Sequence, residues 1–155
     1  KPDVASYSTV INAFAKHGDA KSAAGWLTKI ETAELEPDIA SYNAVIDACA
    51  RQDDCESAGK WLAKMAAAEL KPDIVSYSTV FDSCAREGDG ERAAEWFADM
   101  LANEVRPDFM SYNAVVNAFA QQGKGESAAK WLVNMKEDKL KPNAMSYNAI
   151  INAFA

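Results

Sequence analysis

Five times in this chain a Ser-Tyr pair is followed by a small residue that can both donate and accept a hydrogen bond: Ser8, Asn43, Ser78, Asn113 and Asn148. Each stands 35 residues after the one before, and Tyr7, Tyr42, Tyr77, Tyr112 and Tyr147 never change while their neighbours alternate between Ser and Asn. Steps of four along a helix carry Ser8 to Asn12 and Lys16 on one face. The equivalent series are Asn43, Asp47, Arg51; Ser78, Asp82, Arg86; and Asn113, Asn117, Gln121. Ser hydroxyls and Asn amides offer donors and acceptors at short reach without a mobile charged tail. A base edge needs that chemistry, although small polar residues solvating a helix face would have the same spacing.

Catalytic chemistry finds little support in the same residues. His17 is the only histidine and stands beside a helix end, where capping is its natural role. Cys49, Cys55 and Cys84 lack zinc-site spacing, and no His-x-Glu with Cys-x-x-Cys deaminase signature is present. Their odd count suits a reducing compartment, and Cys49 and Cys84 read as small core filler. Asp47 and Asp82 read as solvated residues or partners for Arg51 and Arg86, not as an acid/base pair. Neither a catalytic residue, a cofactor nor a metal site is expected.

Two kinds of helix must hold these residues in place. Val4, Tyr7, Ile11 and Phe14 form the apolar stripe of a first helix, with Asp3 at its N-cap and Gly18 at its end. Asp38, Asp73, Asp108 and Asn143 repeat the cap; Gly88 and Gly123 repeat the stop, which Asp53 is expected to serve less well. A second helix begins at Asp19, and at Asp54 and Asp89, with the stripe Ala23, Trp26, Leu27, Ile30. The four tryptophans lie in this stripe and read as packing residues rather than as stacking platforms for bases. Lys124 breaks the cap pattern, so the fourth repeat should fray most there.

A fixed period of this size means stacked supersecondary units, each burying its apolar face against its neighbours. The expected fold is all-α: a superhelical α-solenoid of 35-residue helix-turn-helix repeats. Residues 1–3 read as the end of a preceding repeat, followed by repeats at 4–38, 39–73, 74–108 and 109–143, then the first helix of a fifth at 144–155. Both ends read as cut from a longer array. Tyr147, Ile151 and Phe154 should then lack partners and be open to end-to-end contact with another chain.

The net charge is −7, which at first argues against nucleic acid. Its distribution qualifies that. The first helices carry three cations, Lys16, Arg51 and Arg86, against the two carboxylates Asp47 and Asp82, while most acids fall in the second helices and loops. No apolar run is long enough to span a bilayer, and no signal or transit segment is recognisable.

The 35-residue period, Pro-Asp before each unit, Ser-Tyr-Asn/Ser at its start and a basic residue closing the first helix together resemble the pentatricopeptide repeat family over the whole chain. The tetratricopeptide repeat, with its 34-residue period and different signature, fits less well. The resemblance implies a right-handed superhelix that reads single-stranded RNA in mitochondria or plastids, one base per repeat. It implies base recognition by Ser8 with Asp38, Asn43 with Asp73, Ser78 with Asp108, and Asn113 with Asn143, giving a predicted core 5′-G-U-G-C/U-3′; Asn148 would favour another pyrimidine. It further implies a base sandwich from Ala5, Ala40, Val75, Met110 and Met145, two residues before each Tyr, with a weaker grip where Ala stands. Lys16, Arg51 and Arg86 match the phosphate-contacting position and Gln121 departs from it, so the salt slope should be about −2. The competing expectation, prompted by the acidic total, is a protein-docking scaffold in a larger assembly.

Overall fold

The computed structural model describes residues 1–155 and contains nine α-helices and no strand. These are α1 (Val4–Lys16), α2 (Ala20–Thr32), α3 (Ile39–Arg51), α4 (Cys55–Ala67), α5 (Ile74–Glu87), α6 (Gly90–Ala102), α7 (Phe109–Gln121), α8 (Gly125–Glu137) and α9 (Ala144–Phe154). No helix is long and apolar enough to cross a membrane. The chain divides into two compact units, Lys1–Thr79 and Val80–Ala155, with the division inside α5. In the first unit α1 packs on α2 and α3, and α3 on α4; in the second α7 packs on α6, α8 and α9.

The helix starts follow from side-chain caps. Asp3, Asp38, Asp73, Asp108 and Asn143 each accept a hydrogen bond from the backbone N–H three residues on, at 2.8 to 3.2 Å. Such a cap is worth about 1 kcal/mol. Asp19, Asp54 and Asp89 do the same for α2, α4 and α6. Lys124 makes no side-chain cap, as its type predicts, yet α8 begins in the same register as the other second helices. Its ammonium is bonded instead to Glu91.

The helix ends are less orthodox. Gly18, Gly88 and Gly123 take left-handed φ values of 71°, 68° and 76°, and Asp53 takes 55° in their place. The expected weakness of Asp53 as a stop does not appear in the geometry: Asp53 N–H reaches Ala50 O at 3.0 Å and Asp54 N–H reaches Cys49 O at 3.1 Å, a complete Schellman closure. Each second helix closes likewise on a charged residue at positive φ, namely Glu34, Glu69, Glu104 and Lys139. The following Leu35, Leu70, Val105 and Leu140 each donate back to a buried residue of the apolar stripe, Ile30, Met65, Met100 or Met135.

Within a repeat the invariant Tyr meets the Trp of the second helix. Ring centroids are 6.1 Å apart for Tyr7–Trp26 and 6.3 Å for both Tyr42–Trp61 and Tyr112–Trp131, all tilted. Lys29 and Lys64 cover the outer faces of Trp26 and Trp61 at 3.7 and 4.6 Å. Trp26, Trp61 and Trp131 are therefore packing residues.

Between repeats of the second unit, a bare backbone position receives an aromatic ring. A Cβ on Gly90 would lie 2.3 Å from the Phe119 ring, and one on Gly125 would lie 2.7 Å from the Phe154 ring. At the matching positions of the first unit stand Ala20 and Cys49, both buried. Burial also pushes the Cys49 thiol up to about 11, with Asp54 adding to the effect, so Cys49 behaves as inert filler.

Two stability predictions result. Ser83 is fully buried with no partner for its hydroxyl, at a register position held by Ala13, Ala48, Ala118 and Ala153. Ser83→Ala should raise stability by about 1 kcal/mol in urea unfolding. Gly90→Ala should cost about 1–3 kcal/mol because Phe119 is only 7% exposed and cannot yield, and Phe119→Cys should recover part of that loss. Gly125→Ala should be nearly neutral by the same measurement, since Phe154 is 64% exposed and can swing aside.

Candidate nucleic-acid interface

The residues singled out after each Tyr do not point freely into solvent. Ser8 and Asn113 are buried, Asn43 and Ser78 half-buried, and only Asn148 is exposed. The stacking of α3 on α1, and of α9 on α7, covers the first position of the polar series that helical spacing marks as an open ladder, while Asn12, Lys16, Arg51 and Gln121 stay exposed. What it covers it also ties together. Ser8 Oγ lies 2.6 Å from Ser41 Oγ; Asn43 Oδ1 accepts from Ser76 Oγ at 2.6 Å; Asn113 Oδ1 accepts from Ser146 Oγ at 2.9 Å.

The serine at the far end of each bond opens the Ser-Tyr pair of the next repeat, and it also touches that repeat's cap. Ser41 Oγ reaches Asp38 Oδ1 at 2.7 Å, Ser76 Oγ reaches Asp73 Oδ1 at 2.9 Å, and Ser146 Oγ reaches Asn143 Oδ1 at 3.4 Å. The cap is the second member of each expected reading pair. Three pairs are thus brought together through a buried serine: Ser8 with Asp38, Asn43 with Asp73, and Asn113 with Asn143. Asn43 and Asp73 are also joined directly, Nδ2 donating to Oδ1 at 3.4 Å. Ser78 and Asp108 fall in different units, Ser78 half-buried on α5 and Asp108 exposed at the start of α7. The serines themselves are the residues that helical spacing passed over; their signal was a Ser at 6, 41, 76, 111 and 146, fixed like the Tyr beside it.

Beside these pairs runs a second register of exposed residues. Val75, Met110 and Met145 are 56%, 59% and 63% exposed, unusual for side chains of their size, and Ala5 and Ala40 stand at the same position. Lys16, Arg51 and Arg86 are exposed in the last turns of α1, α3 and α5. Arg51 Nε is held by Asp47 Oδ2 at 2.7 Å, and that carboxylate raises the guanidinium's proton affinity. His17 caps α1, its Nδ1 2.9 Å from Ala13 O. No group of three or more His, Cys, Asp or Glu side chains is arranged to hold a metal.

Comparison with known proteins gives a consistent picture. The PPR repeat family matches residues 2–51, 37–86 and 72–120, and the pentatricopeptide repeat domain matches 97–155. No curated protein matches the sequence. Among solved structures, the pentatricopeptide repeat protein PPR10 from maize is similar over 99% of this chain and 22% of its own, at 24% identity and a TM-score of 0.88. The structure of PPR10 in complex with an 18-nt psaJ RNA element is similar over the same shares at 28% identity and a TM-score of 0.79. Nuclear proteinaceous RNase P 2 from A. thaliana shares the fold over 99% of this chain and 35% of its own, at 12% identity and a TM-score of 0.84. The chain therefore spans about a fifth of the length of PPR10.

The Asp73 carboxyl has a consequence for acid stability. Burial disfavours its charge, but hydrogen bonds from the Ser76 backbone and hydroxyl and from the Asn43 amide outweigh burial and hold its pKa below 3.8. A depressed folded-state pKa contributes stability that is complete above the unfolded value and lost as pH falls through the folded one. Asp73→Asn, which cannot titrate, should therefore lose less stability than the parent chain below about pH 4. Urea unfolding across that range checks it.

Proposed function

Because the chain belongs to the pentatricopeptide repeat family, we propose that it binds single-stranded RNA and selects its sequence one base per repeat. The observation that carries this reading is the Asn43–Asp73 pair, joined at 3.4 Å and flanked in its register by the exposed Val75. A base presented there would meet a donor and an acceptor on its edge and an apolar side chain on its face. The complex of PPR10 with RNA supports the same use of the fold.

The reading pairs are Ser8 with Asp38, Asn43 with Asp73, Ser78 with Asp108 and Asn113 with Asn143, and the core they select is 5′-G-U-G-C/U-3′. Asn148 extends it toward a pyrimidine. Ala5, Ala40, Val75, Met110 and Met145 flank the bases, and Lys16, Arg51 and Arg86 meet phosphates. This reading assigns the chain no catalytic step. It puts the protein in the processing, stability or translation of mitochondrial or plastid RNA.

A protein-docking scaffold is the second reading. The pairing of Arg51 with Asp47 favours it, because that cation is already partly neutralised before any phosphate arrives.

The test is a binding comparison between RNAs that contain GUGC and RNAs with those bases transposed. Asn43→Ser should move the preference at the second base from uracil toward guanine by about tenfold, the scale of one well-made edge contact. Equal affinity for all RNAs before and after the substitution would overturn the reading in favour of the scaffold.

A further inference from the structure

The buried serines do more than bridge neighbouring repeats, because each has one proton and more than one acceptor to give it to. Ser76 is fully buried. Its Oγ accepts from Asp73 N–H at 3.2 Å and lies 2.6 Å from Asn43 Oδ1 and 2.9 Å from Asp73 Oδ1. A separation of 2.6 Å suits O–H···O and is short for N–H···O. If the hydroxyl proton pointed only at Asp73, two lone-pair oxygens would face each other at that distance. If the Asn43 amide were turned over, its oxygen would face the Asp73 carboxylate. The arrangement that makes the shortest contact a hydrogen bond has Ser76 donating to Asn43 Oδ1, while Asn43 Nδ2 gives one proton to Asp73 and has the other to offer outward, and the Asp73 carboxylate keeps the Ser76 backbone N–H in place of the hydroxyl.

Ser41 reaches the opposite result with the same parts. Its hydroxyl lies 2.7 Å from the Asp38 carboxylate, an acceptor that offers no proton in return. The Ser41 proton is drawn there, so the 2.6 Å contact with Ser8 must be made by the Ser8 proton. Ser8 is then left with lone pairs alone. Its repeat presents acceptors from both Ser8 and Asp38, whereas the next presents a donor from Asn43 beside an acceptor from Asp73.

We propose that Ser41 and Ser76 are positioning residues that set the donor–acceptor polarity of the reading pair behind them. The inference rests on the RNA-binding reading and adds its chemistry. Two acceptors match an edge with adjacent donors, as guanine has in N1–H and N2–H; a donor beside an acceptor matches a pyrimidine edge carrying a carbonyl next to an N–H. Remove the serine hydroxyl and the polarity is no longer imposed, although the reading residue is unchanged.

The experiment uses the whole chain with Ser41→Ala and Ser76→Ala, each measured against RNAs varied at the first and second base. Ser41→Ala should lower the guanine-over-adenine ratio at the first base about tenfold and leave the second-base ratio intact; Ser76→Ala should do the converse for uracil at the second base. A uniform loss of affinity with unchanged ratios would mark the serines as structural only and overturn the proposal. An RNA-free measurement separates this from a failure of the RNA reading. In the ¹⁵N-resolved NMR spectrum, the Asn43 side-chain amide proton given to Asp73 should be slow to exchange in the parent chain, and should lose that protection in Ser76→Ala. Unchanged protection overturns the positioning role whether or not RNA binds. Lost protection in a chain that binds no RNA upholds the positioning and defeats the RNA reading.

Discussion

Everything displayed by this protein depends on where each first helix starts. A carboxylate or amide oxygen at Asp3, Asp38, Asp73, Asp108 or Asn143 accepts the N–H three residues on, and the proline before it prevents an earlier start. A shift by one residue would rotate the helix by about 100° and send Val75, Met110 and Met145 into the core. The same oxygens are half of every proposed reading pair. A side chain engaged in capping cannot swing, so the reading edge is rigid before any ligand arrives.

Much of this was legible in the chain itself. The helix count, the start of each helix, the tyrosine and tryptophan stripes and the uncapped start at Lys124 all follow from residue type and period. The closures at Asp53, Glu34, Glu69, Glu104 and Lys139 did not, because a left-handed residue is announced by glycine and these are charged. At the four second-helix ends the half-buried leucine or valine that follows folds back onto the stripe, and at Asp53 the Asp54 N–H closes on Cys49 O in the same way. Nor did helical spacing indicate that Ser8 and Asn113 are covered. Periodicity describes one helix at a time, whereas their burial arises from the next helix laid across them.

The charge of −7 also takes on a different meaning once placed. Several acids are committed locally: Asp47 to Arg51, Glu56 to Lys60, Glu91 to Lys124, and the capping aspartates to backbone N–H groups. Exposed pairs of this kind contribute little to stability. They do soften the acidic field near the first helices, where Lys16 stands without a carboxylate partner.

The glycine-and-ring contact in the second unit bears on how such arrays are rebuilt. Phe119 requires the bare backbone of Gly90, and Cys49 stands where Ala20 precedes it. A repeat carrying phenylalanine at this seam would overlap if transplanted behind Ala20, and one carrying cysteine would leave a void behind Gly90. Repeats that look interchangeable along their reading edges are therefore keyed at the back. Recombination between arrays, natural or in the laboratory, must exchange the seam as a unit, from the start of one second helix to the end of the following first helix.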